Sequence, residues 1–98
     1  MFEDYIITNH AIERYAERIK CNKKDIIKRI KNDLYFTKVK RIINNGDTRY
    51  VFTRNSKEFI FKNDAGKWIL KTVIKRSRNT NAYAMQKRAR LSNSVVNN

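Results

Sequence analysis

The chain contains one histidine, His10, and two arginines follow it at four-residue intervals, Arg14 and Arg18. On a helix each four-residue step turns about 40° past a full circle, so the three side chains share one broad face. An imidazole titrates near neutrality and moves protons well, and two guanidinium groups can hold a phosphate between them. That is equipment for cutting RNA without a metal, with His10 exchanging a proton with the ribose 2′-OH or the 5′-leaving oxygen. The plainer alternative is a solvated face, with Glu13 and Glu17 as ion-pair partners and His10 as a cap or surface residue. Metal chemistry is not expected. His10 has no second histidine, and Cys21, the single cysteine, permits neither a thiolate cluster nor an internal disulfide. No cofactor is expected either.

Charge indicates the partner. The chain holds 23 Lys+Arg against 9 Asp+Glu, a formal +14 over 98 residues. Residues 1–35 carry 8 basic and 6 acidic side chains, net +2, whereas residues 36–98 carry 15 and 3, net +12. A field this large repels itself unless an anion neutralises it, and nucleic acid is the usual anion. RNA is therefore the expected partner, with DNA or a nucleoprotein complex in the same class and an acidic protein as the alternative. No apolar run approaches the ~20 residues of a membrane span, so no membrane partner is expected. The opening MFEDYIITNH is acidic and lacks the basic-then-apolar order of an export signal. The expected location is the cytoplasm, that of a host if the protein is phage-encoded.

Such side chains need a frame. Hydrophobic residues make up 41% of the chain, enough for one core, and its length is too small for two. Proline is absent and glycine stands only at 46 and 66, so no linker is visible. Thr8 or Asn9 can cap a helix over 10–20, whose apolar stripe is Ala11, Ile12, Tyr15, Ala16 and Ile19. Asn22 can cap a second helix with Ile26, Ile27, Ile30 and Leu34 as its stripe, joined to the first near Cys21. From Phe36 the period becomes two. Strands are predicted over 37–44, 48–54, 57–62 and 67–75, with turns at 44–47, 55–56 and 63–66. The expected fold class is α+β, two N-terminal helices packed on a four-stranded antiparallel meander. That domain is expected to span 1–76. Residues 77–98 are expected to form a flexible basic tail, or one helical on binding, whose deletion leaves the domain folded. The expected core includes Ile12, Ile19, Ile27, Ile30, Phe59, Phe61 and Leu70.

In the last strand, strict alternation puts Trp68, Leu70, Thr72 and Ile74 on one face and Lys67, Ile69, Lys71, Val73 and Lys75 on the other. Thr72 is the polar break in an apolar row, either an ordinary strand threonine or part of a site. Arg49, beside Tyr50 and Phe52, gives the mixture of bases and aromatics that holds phosphates and stacks nucleobases. The expected nucleic-acid contacts are Arg49, Lys71, Lys75, Arg76, Arg78, Lys87, Arg88 and Arg90.

The strings NHAIERYAERI, TRYVF, EFIF and WILKTVIKR, in that order, resemble the small RelE/BrnT-like proteins of the barnase–colicin–RelE ribonuclease superfamily. The likeness is to the phage- and plasmid-borne branch that opens with His-Ala-x-x-Arg-x-x-x-Arg, here His10, Ala11, Arg14 and Arg18, and it runs over about residues 8–76. The resemblance implies two helices on a twisted antiparallel sheet that binds or cuts RNA across its exposed face. It carries the family's helix positions to His10, Arg14 and Arg18, and its strand-four threonine to Thr72. The aromatic that usually follows that threonine is missing, since the strand continues Val73-Ile74. Three functions stay open. The first is a metal-independent endoribonuclease, a toxin or phage effector leaving 2′,3′-cyclic phosphate ends. Its catalytic set would be His10, Arg14, Arg18 and Thr72, with Lys71 or Arg49 stabilising charge on the phosphate. The second is a non-catalytic module that binds RNA or a nucleoprotein. The third is an inhibitor or antitoxin partner that meets an acidic protein.

Overall fold

The computed structural model describes residues 5–96. Its elements are β1 (Tyr5–Ile7), α1 (Asn9–Ile19), α2 (Ile26–Asp33), β2 (Val39–Asn45), β3 (Thr48–Thr53), β4 (Lys57–Asp64), β5 (Lys67–Lys75) and α3 (Arg78–Val96). The fold is α+β, and the described residues form three α-helices and a five-stranded mixed sheet in the order β1-β5-β4-β3-β2. Strands β2 to β5 make the antiparallel meander. The four-stranded, all-antiparallel expectation needs correction, because β1 adds a fifth strand parallel to β5, with Tyr5 opposite Trp68 and Ile7 opposite Leu70. Three residues are too few for an alternation to be read, and their partner lies at the far end of the meander.

Thr8 both starts α1 and ties it to the sheet. Its Oγ1 accepts from Ala11 N (3.1 Å) and donates to Leu70 O (2.8 Å). Lys20, in the left-handed region (φ 54°), ends the helix by returning its N–H to Ala16 O. Asn22 accepts from Lys24 N (3.2 Å) and so caps a single 3₁₀ turn, Lys23–Asp25, that precedes α2. Ile26, Ile30 and Leu34 then recur every four residues and are fully buried. Ile27 sits about 100° round the helix from Ile26 and is 47% exposed, so it leaves the expected core. Ile12 and Ile19 are half-buried at the core's margin, whereas Ile30, Phe59, Phe61 and Leu70 are at its centre.

The alternation in β5 also needs correction. Ile60 opposes Thr72 but Phe61 opposes Leu70, so Lys71 is the extra residue of a β-bulge. Beyond it the pleat is shifted by one. Val73 joins Leu70 and Trp68 in the core under α1 and α2, and Thr72, opposite Ile60, leaves that row.

The second face of the sheet is covered too. Helix α3 packs against β2 and β3, so residues 78–96 are a helix where a flexible tail was expected. The cause is a carboxylate in an apolar place. Glu58 is fully buried beside Phe52, and an ionised carboxylate there requires countercharge. Arg88 Nε donates to Glu58 Oε2 (3.0 Å) and its guanidinium lies 4.3 Å over the Tyr50 ring. Arg76 Nη1 stands 2.6 Å from Glu58 Oε1, an ion pair by distance although outside hydrogen-bond alignment. Deleting 77–98 is therefore expected to lower stability by roughly 3–5 kcal/mol, the usual cost of breaking a buried ion pair. Urea denaturation of the truncated chain checks this; an unchanged midpoint would mean that α3 contributes nothing to the fold.

A second buried polar group joins α1, α2 and β4. Lys57 Nζ is 2.7 Å from Asp33 Oδ2 and donates to the Tyr15 hydroxyl at 3.2 Å. Tyr15 in turn donates to Asp33 Oδ2 (2.8 Å), and Asn55 Nδ2 donates to Asp33 Oδ1 (3.1 Å). Burial first, and the Asp33 carboxylate second, push the Tyr15 phenol well above its ordinary value. The folded state thus holds this proton more tightly than the unfolded chain does. The associated stability is complete below the ordinary phenol range and is lost as pH climbs above it.

Candidate functional site

Helix α1 runs along β5, anchored at its start by Thr8 on Leu70 and near its end by Arg18. Strand β1 pairs with only Trp68–Leu70, so among the described residues the outer edge of β5 beyond that point has no neighbouring strand. Arg18 fills the gap, its Nη1 donating to Val73 O (2.5 Å) and to Thr72 Oγ1 (3.3 Å). Thr72 meets Arg18 at the strand edge, the bulge at Lys71 having turned it off the face that Leu70 and Val73 bury under α1. One turn back along the helix, Arg14 Nε donates to His10 Nε2 (3.4 Å) and Arg14 Nη1 pairs with Glu17 Oε2 (3.0 Å). His10 and Arg18 are exposed and Arg14 is half-buried. The structure thus brings His10 to Arg14 within α1, and Arg18 to Thr72 on β5, with the exposed Lys71 next to Thr72. It also supplies Glu17 as the ion-pair partner that the plainer reading of this face requires.

The remaining predicted contacts divide into engaged and open cations. Arg49 donates from Nε to Asn44 Oδ1 (2.8 Å), and its guanidinium lies 4.0 Å over the Trp68 ring. Arg76 and Arg88 serve Glu58. Lys75 Nζ donates to Asn55 O (2.8 Å), at the β3–β4 turn. Arg78, Lys87 and Arg90 are exposed on α3. Residues not predicted stand with them. Lys40 and Arg54 meet Arg78 around a cavity of about 270 Å³, and Tyr35 and Phe36 form an exposed ring pair with centroids 4.9 Å apart. Strand alternation could have placed Lys40 and Arg54 near one sheet end, but nothing local indicates that α3 brings Arg78 to them.

Chemically, α1 and β5 offer one imidazole, two guanidinium groups and a hydroxyl in two separate contact pairs, His10–Arg14 and Arg18–Thr72. Among the described residues no three His, Cys, Asp or Glu side chains are grouped so as to hold a metal ion. No described helix is long and apolar enough to cross a membrane. No family model, no curated protein and no solved structure matches the chain.

Proposed function

We propose that the protein acts on RNA as a metal-independent endoribonuclease, as its resemblance to RelE/BrnT-like proteins would imply. The observation that carries this reading is the pair of contacts His10–Arg14, within α1, and Arg18–Thr72, between α1 and β5, on a chain with net charge +14. In this scheme a phosphodiester lies along α1, with its charge met by Arg14 and Lys71. His10 takes the proton from the ribose 2′-OH and returns it to the departing 5′-oxygen, which leaves as a hydroxyl. The 2′-oxygen bonds to phosphorus, the P–O5′ bond breaks, and a 2′,3′-cyclic phosphate is left. Arg18, already bonded to β5, keeps α1 and Thr72 in place and adds to the field.

A second reading, a non-catalytic RNA-binding module, is favoured by one specific contact. The Arg14 Nε–His10 Nε2 bond engages the imidazole nitrogen that would otherwise be open to a substrate proton. Incubation with total RNA in EDTA separates the two. Cleavage with cyclic phosphate ends, read by mass spectrometry, supports the nuclease; retention without cleavage supports the module. In both, log affinity should fall steeply and linearly with log salt, by about 0.7–0.9 per phosphate neutralised. An affinity independent of salt would remove RNA from the account.

A further inference from the structure

We infer a second RNA-contacting site at the end of the sheet where β3 leaves and α3 begins. It would be a phosphate pocket formed by Lys40, Arg54 and Arg78 with the Tyr35–Phe36 pair as the adjoining base platform. This inference rests on the RNA reading above but on none of the residues that carry it.

The pocket is a concavity of about 270 Å³ whose lining includes Lys40, Arg54, Arg78, Thr53, Ser56 and Asn81 and no acidic residue. Three cations converge there from β2, the end of β3 and the first residue of α3. Left empty, such a group repels itself; an anion converts the repulsion into binding. Arg54 is oriented by donations from its backbone N to Lys38 O (2.9 Å) and from Nε to Thr37 O (3.3 Å). That leaves its terminal nitrogens for a ligand. Among the described residues Lys40 and Arg78 have no side-chain partner, so neither is neutralised within the fold.

Asn81 supplies the independent observation. Its side chain is 94% buried by the residue's 6% exposure, and Arg76 Nη1 donates to its Oδ1 (3.3 Å). That bond fixes the amide orientation, because only the carbonyl oxygen can accept. The Nδ2 group, a pure donor, has no partner among the described residues and belongs to the pocket wall. A donor at the pocket wall beside three cations suits an acceptor that carries negative charge.

The class of anion follows from the neighbours. Tyr35 and Phe36 are 56% and 61% exposed, and they precede Thr37, whose carbonyl holds Arg54. Exposed aromatic rings, tilted at 46° to one another, near a cationic pocket match a nucleobase followed by its backbone phosphate in a single strand.

The test is fluorescence anisotropy with a 12-nucleotide single-stranded 2′-O-methyl RNA, which the protein could not cut. Arg54→Ala, Arg78→Ala and Lys40→Ala are each expected to weaken binding several-fold and to reduce the salt slope by about one. Tyr35→Ala is expected to weaken it roughly 5- to 100-fold with the slope unchanged, as loss of a stacked base does. Lys28→Ala, which removes an equal charge from the exposed side of α2, is the control. If the wild-type protein does not bind the oligonucleotide, the RNA reading itself fails. If it binds, and the pocket variants bind as Lys28→Ala does, only this site is overturned. Inorganic phosphate at matched ionic strength is the third arm. Should it bind the wild-type protein at a site lost in Arg78→Ala yet leave RNA affinity unchanged, the pocket is one for a free anion and its assignment to the RNA backbone is wrong. Arg78 makes no side-chain contact that folding could need, so its variant decides the matter even if Arg54→Ala is unstable.

Discussion

His10→Ala is expected to lower RNA cleavage by roughly 10²–10⁴-fold, the usual contribution of a positioned acid–base group, while fold and affinity are retained. The structure says why the effects should separate. His10 is exposed in the first turn of α1, where Thr8 provides the cap and Ala11 the buried contact, so alanine removes only the 3.4 Å contact from Arg14. Binding should persist, because phosphate charge is met by arginine and lysine. Arg14→Ala is the complement. It removes a cation and the group that orients His10, so affinity and cleavage should fall together. Cleavage is to be measured with a chelator present, and affinity on RNA carrying a 2′-deoxy residue at the cleavage site. Full activity in a folded His10→Ala protein would end the catalytic assignment and leave the binding module as the better account.

The largest effect on stability is expected where charge is buried. Lys57→Met leaves the Asp33 carboxylate, under one-tenth exposed, with only Tyr15 and Asn55 for company, and should cost roughly 3–5 kcal/mol. Asp33→Leu strands the ammonium instead and should cost a similar amount. Combining the two removes both charges and should recover most of the loss, because desolvation of the pair offsets much of its attraction. Tyr15→Phe, which deletes one donor to Asp33, should cost less, roughly 1–3 kcal/mol. Urea midpoints at constant slope measure all four. A double variant as unstable as the sum of the singles would mean that lost packing geometry, and not unpaired charge, causes most of the destabilisation.

Local pattern was enough for every element whose signal is local. The stripe Ala11–Tyr15 and the cap Thr8 define α1, and the turn residues around Gly46 and Gly66 separate strands that alternate between them. At the β4–β5 turn, Ala65 and Gly66 both take positive φ (52° and 83°), the conformation a two-residue hairpin of this kind requires. The His10, Arg14, Arg18 face was likewise legible, because helical spacing alone places three residues side by side. What escaped was whatever depends on a partner distant in the chain. Strand β1 has too few residues to show a period and exists because the edge of β5 offers unpaired backbone groups. The bulge at Lys71 is invisible to a reading that assumes strict alternation, yet it decides that Val73 is core and that Thr72 leaves the buried row. Helix α3 has weak apolar periodicity and reads as a soluble basic tail. It docks because Glu58, buried opposite Phe52 and Ile74, needs Arg88 of α3 beside Arg76 as countercharge. A residue sequence states which side chains can bond; the cost of leaving a backbone edge or a carboxylate unsatisfied in the folded chain determines which of them do.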